Sequence, residues 1–161
     1  MFALALVGCK DGGPDGWVAP DVRINELVAS NQTGLQDESG AFPDWLELYN
    51  DGDEIVDLST FTITDDPAEP QKSSFPAGTE IAAGGFLVVF VDGDPSTATE
   101  VHTTFKLSRL GETLQLIGPA SEDFPLIDEL QYPAMESDQS WAFIDGGFEI
   151  DATPTPGEPN G

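Results

Sequence analysis

The chain is predicted to be all-β, a two-layer sandwich of about nine strands around one core. Nearly every apolar cluster is a short run bounded by Asp, Gly, Asn or Pro, the residues that turn chemistry demands. No window sustains a helical period over three turns without a Gly or Pro. A length of 161 residues is one domain's worth, enough to bury roughly two thirds of the unfolded surface without disulfides or metal.

The expected strands follow in order. Residues 22–29 form the first, 45–50 the second and 61–64 the third. In the second, Leu46 and Leu48 point one way, so Trp45, Glu47 and Tyr49 point the other, which sets a carboxylate between two aromatics. A Glu in that setting is either half exposed or held by a partner. Residues 86–91, Phe-Leu-Val-Val-Phe-Val, are apolar on both faces, which predicts a central and most buried strand, since an exposed edge of that composition would pair with other chains. Residues 103–107 and 113–117 flank a turn at 108–111 and direct Phe105, Leu107, Leu114 and Leu116 to the core. Residues 126–132, 141–144 and 148–150 complete the set, the last two joined by Asp145-Gly146-Gly147 as a hairpin turn. Residues 151–161 hold three prolines and little apolar content, and are expected to lie extended along the sandwich or to fray.

Thirty acidic residues against five Lys plus Arg give a net charge of -25. The acids are scattered between apolar residues, as on an acidic globular surface rather than a disordered acidic segment. Nucleic acid and anionic headgroups would meet a repulsive field, whereas cations and basic protein patches would not.

Several motifs in order carry a family resemblance: RINELVASN from Arg23, DWLELYN from Asp44, DLSTFTITDD from Asp57, SFPAGTEIAAGGFLVVFVDGD from Ser74, HTTFKLSRLGETLQL from His102 and TPTPGEPN from Thr153. Together they resemble a lamin tail domain, the module of nuclear lamins that also occurs in many bacterial exported proteins. The resemblance covers most of the chain and implies an immunoglobulin-like β-sandwich. It says less about function, because such domains serve as attachment and interaction modules on unrelated proteins.

Residues 1–8 are uncharged and apolar, far short of the roughly 20 residues of a spanning helix, and they end at the sole cysteine. Leu6-Val7-Gly8-Cys9 resembles the bacterial lipobox, which implies a signal at 1–8, cleavage before Cys9 and diacylation of its thiol. The brevity of the run and the lack of a basic residue before it point to a translation start upstream of Met1. Residues 9–20 then form a lipidated cysteine and flexible linker, 21–150 the folded domain and 151–161 the tail. With Cys9 acylated the exported domain has no thiol for a disulfide, and redox chemistry is not expected.

Enzyme chemistry finds little support. His102 is the single histidine and has no nucleophile motif, while Ser108 sits on a hairpin turn rather than a strand-to-helix elbow. One His and one Cys cannot supply the usual zinc core, and there is no phosphate loop or dinucleotide fingerprint. No cofactor is expected, with calcium as the alternative. Its candidate ligands are Asp92 and Asp94 after the fourth main strand, and Glu26, Asp44 and Glu47, which would meet if the first two strands are neighbours. The acidic loop 51–54 is equally rich in oxygen donors, but neither loop follows EF-hand spacing. Trp45, Trp141, Tyr49 and Tyr132 are expected to pack in the core or at strand edges rather than to stack on sugars, with Trp17 the exception, since it lies in the linker where a buried role is least assured.

The reading is a non-catalytic interaction or adhesion module on the bacterial cell envelope, anchored only by its lipid, at the outer membrane's periplasmic face or the cell surface. Its expected partner is a protein or glycan and not nucleic acid. The alternatives are a calcium-dependent binding module and an accessory domain of an exported hydrolase.

Overall fold

A computed structural model describes residues 16–95 and 99–161. Twelve strands occur among the described residues. They are β1 (Val22–Val28), β2 (Trp45–Asn50), β3 (Val56–Asp57), β4 (Thr62–Thr64), β5 (Ser73–Ser74), β6 (Glu80–Ile81), β7 (Phe86–Phe90), β8 (Val101–His102), β9 (Glu112–Ile117), β10 (Leu126–Tyr132), β11 (Ser140–Ile144) and β12 (Gly147–Asp151). One sheet runs β12-β11-β1-β2-β7-β8 and the second β10-β9-β4-β5, with a small β3-β6 pair beside them. All pairings are antiparallel except β7 with β8.

Between the two layers, Ile24, Leu27, Leu46 and Leu48 join Ile63, Leu114, Leu116 and Leu130 in one buried cluster. Because β2 alternates strictly, a slip of one residue would turn Leu46 and Leu48 out of the main core and drive Trp45 and Glu47 into it, setting a carboxylate without donors among Ile24, Ile63, Leu114 and Leu116. That penalty fixes the register Leu46↔Leu27 and Leu48↔Ile24.

β1 does not alternate strictly. Its pairing with β2 shifts between Ile24 and Glu26, so Asn25 is an extra residue opposite the partner strand. The bulge leaves Ile24 and Leu27 in the core and puts both Asn25 and Glu26 on the outer face. The Ile24 amide donates at 2.7 Å to Asp128 Oδ2 on β10, which lies at a register shift of its own in the β10–β9 pair. The two irregularities thus satisfy each other across the edge of the sandwich.

The β11–β12 hairpin closes through Asp145 and Gly146, both at positive φ (50° and 88°), as a type I′ turn requires. Gly147 already pairs with Ile144 and belongs to β12. Gly111, at φ 91°, ends the turn before β9, and a Cβ there would stand 2.6 Å from the Tyr132 carbonyl oxygen.

Several expectations need correction. The 86–91 run is not the most buried strand. β8 covers it only opposite Val89 and Phe90, so Phe86, Leu87 and Val88 remain half-buried, while β1 and β2 lie deepest. It is apolar on both faces because Leu87 and Val89 serve the main core while Val88 and Phe90 join a second cluster on the outer face. Residues 103–107 are not a strand; apart from the bridge Asp92↔Lys106 they form a loop that buries Phe105 and Leu107. Trp17, read as part of a linker, packs against the main core.

The candidate site: a carboxylate pair beneath the C-terminal strap

The outer face of the six-stranded sheet carries a buried cluster of its own, formed by Val28, Trp45 and Phe90 with Leu35 and Val88 against it. Beside it, Glu26 and Glu47 face each other as cross-strand partners, each fully buried. Two carboxylates in that position need donors, and the chain supplies them from its own C-terminus.

The amide of Thr155 donates to Glu26 Oε2 at 3.1 Å, and that of Gly157 to Glu47 Oε2 at 2.5 Å. Asn25 Nδ2, presented by the bulge, donates to Glu47 Oε1 at 3.0 Å. Asn160 anchors the end of the segment, its Nδ2 donating to the carbonyls of Asn25 and Phe143 at 3.1 Å each. Its Oδ1 accepts from Thr155 Oγ1 at 3.0 Å. Between these anchors Thr155-Pro156-Gly157-Glu158 closes a turn, with the Glu158 amide 3.0 Å from the Thr155 carbonyl and Gly157 at φ 83°. Proline second and a positive-φ glycine third is the type II pattern, so local sequence presets the shape that docks.

Burial pushes the Glu47 carboxyl up to about 7; the Gly157 amide and Asn25 oppose the rise and the Glu26 charge adds to it. Burial also raises Glu26, against the Ser140 and Thr155 groups beside it.

Next to the pair, the Arg23 guanidinium lies between the rings of Tyr49 and Phe143, 4.5 and 4.6 Å from their centroids. It pairs with Asp51 at 3.0 Å. Tyr49 in turn packs on Phe86 at 4.8 Å. Arg23, one of five Lys and Arg, is thus held in a ladder rather than free to balance the glutamates.

The other sequence candidates lie apart. Asp44 accepts the Asn31 amide at 2.9 Å and does not join Glu26 and Glu47. Asp92 caps its own loop through the Asp94 amide and contacts His102 Nδ1 at 3.1 Å. His102 is buried, tilted against Phe90, with Nε2 3.7 Å from Glu100. In the 51–54 loop the organiser is the buried Asn50, whose Nδ2 reaches the carbonyls of Glu54, Ile81 and Ala82. Among the described residues no three His, Cys, Asp or Glu side chains are grouped to hold a metal ion. The grouping of Glu26, Asp44 and Glu47 as calcium ligands is therefore corrected to a pair, since only two of the three share a face. Asp92 instead closes a turn with the Asp94 amide and pairs with His102, and no such group of ligands occurs there among the described residues either. Cys9 lies outside the described residues.

Sequence reasoning missed the role of Asn25, Thr155, Gly157 and Asn160. The signal was present in Arg23-Ile24-Asn25-Glu26-Leu27, where apolar positions are three apart instead of two, and in the Thr-Pro-Gly turn of the tail.

Two packed sheets of this order, closed by a strap, define an immunoglobulin-like β-sandwich. The chain belongs to the lamin tail domain family, whose model matches residues 18–134. That family is a non-enzymatic, protein-interaction class of immunoglobulin-like domains. No curated protein matches the chain.

Proposed function

We propose that the protein is a non-catalytic interaction or adhesion module tethered to the bacterial cell envelope through a lipid on Cys9, with a protein or glycan partner and no affinity for nucleic acid. The observation that supports the non-catalytic reading is the state of the buried acidic pair: among the described residues, the carboxylates of Glu26 and Glu47 are engaged by main-chain amides of the same chain and by Asn25. The lipobox-like Leu6-Val7-Gly8-Cys9 and the polar residues after it support the tether. A net charge of -25 supports the exclusion of nucleic acid. Membrane fractionation tests the tether: wild type is expected in the membrane fraction and Cys9→Ser in the soluble fraction. Identical fractionation of the two would refute lipid anchoring.

A further inference from the structure

The strap is a ligand already seated in a groove. Its recognition contacts lie within residues 154–160, through the main-chain amides of Thr155 and Gly157, the Asn160 side chain and a proline-preset turn, a set that a short segment of another chain could also present. It also leaves the groove partly unfilled. On one side of Pro156 a recess of about 430 Å³ is lined by Val28, Leu35, Trp45 and Pro154. On the other, one of about 340 Å³ is lined by Leu35, Leu87, Val88, Phe90 and Val101. An occupant with larger apolar side chains would fill space that this tail leaves open.

Charge selects among occupants. The groove floor holds two carboxylates and the whole chain carries -25, while the strap itself adds Glu158. A second copy would bring another -25 to the contact, whereas a cationic segment would be drawn in.

We infer that the outer face of the six-stranded sheet is a docking groove for an extended, basic, proline-rich segment of a partner protein, and that residues 153–160 are its resident competitor in cis. The inference rests on the interaction-module reading and names the chemistry of the partner. Docking in trans replaces the amides of Thr155 and Gly157 with those of the incoming segment, so the buried carboxylates are never left without donors. The resident tail, linked to β12, holds a high effective concentration, so the groove admits a segment that binds better than the tail or is locally abundant.

The test uses the full chain with Gly157→Pro, which abolishes both the donor to Glu47 and the positive φ, and so weakens the resident tail. A labelled peptide, Thr-Pro-Thr-Pro-Gly-Lys-Pro-Asn, is titrated in and followed by fluorescence anisotropy. Saturable binding is expected, at least tenfold weaker when the peptide's glycine is replaced by proline and weakened by added salt. A folded variant that does not bind at millimolar peptide, or that binds the proline form equally well, overturns the groove. Equal affinity for the peptide with glutamate in place of lysine overturns the basic partner and points to a second copy. Should Gly157→Pro fail to fold, hydrogen exchange on the wild-type chain decides. Excess lysine peptide is expected to speed exchange of the Thr155 and Gly157 amides as the resident tail is displaced, and unchanged protection overturns the proposal. None of these failures touches the membrane tether, which Cys9→Ser tests separately.

Discussion

Replacing Glu47 with glutamine should change how stability depends on pH more than it changes stability itself. In the folded chain Glu47 titrates at about 7, against an ordinary 4.5. Between those values the folded state holds a proton that the unfolded state has released, so stability falls as pH rises through the window. The contribution is fully present below 4.5, where both states are protonated, and is lost above about 7. The gap between 4.5 and about 7, at roughly 1.36 kcal/mol for each pH unit, is worth about 3 kcal/mol. For a chain of this length that is a midpoint change of roughly 9 °C. Glu47→Gln has the shape of the protonated acid and no titration, and it retains an acceptor for the Gly157 amide. Urea unfolding of both proteins at several pH values from 4.5 to about 8 is the assay. The two should be close in stability at the acid end, with the variant ahead by up to about 3 kcal/mol at the alkaline end. A difference that does not change with pH, or one that moves against the wild type as pH falls, would refute the account of a buried, shared acidic site.

Other outcomes follow from single contacts. Asn50→Ala removes one donor group from three loop carbonyls at a fully buried position and should cost about 2–4 kcal/mol in urea unfolding. Gly111→Ala meets both a positive φ and the Tyr132 carbonyl at 2.6 Å, so a loss of more than about 2 kcal/mol is expected, read as a lowered thermal midpoint. Asp138 accepts the amides of Gln32 and Thr33, which hold its carboxyl below the usual range. Its support for the 31–34 loop should therefore be present above the ordinary carboxylate pKa and fade as pH falls, and Asp138→Asn should raise limited proteolysis there at neutral pH. Thermal midpoints in calcium, magnesium and sodium chloride of matched ionic strength should coincide; a calcium-specific rise saturating at low concentration would restore the metal reading.

The second strand was fully legible because its two faces differ so sharply: Leu46 and Leu48 against Trp45, Glu47 and Tyr49 leave one register that buries the leucines. The β11–β12 hairpin was legible for a different reason, since Asp-Gly carries its own turn. What sequence alone left open was whether Glu47 was exposed or held, because its partners come from residues 25 and 157, the latter 110 positions away. Local period cannot report a contact made across that separation. The 103–107 run failed from the opposite side: Phe105 and Leu107 alternate as in a strand and are buried as expected, but burial came from a loop folding over the core. The 86–91 run shows that apolarity on both faces reports two covered faces, not a central place in the sheet.

The family match ends at residue 134, yet β11 lies directly against β1, within the middle of the larger sheet. A fragment cut at that limit would strip one entire side of β1 of its hydrogen-bonding neighbour while also uncovering Glu26 and Trp45. Such an edge, flanked by newly wetted apolar surface, is a template for addition of strands from other molecules. Residue 134 is therefore a hazardous stopping point for recombinant work on this chain: the shorter protein would be prone to precipitation even where each remaining strand is intact.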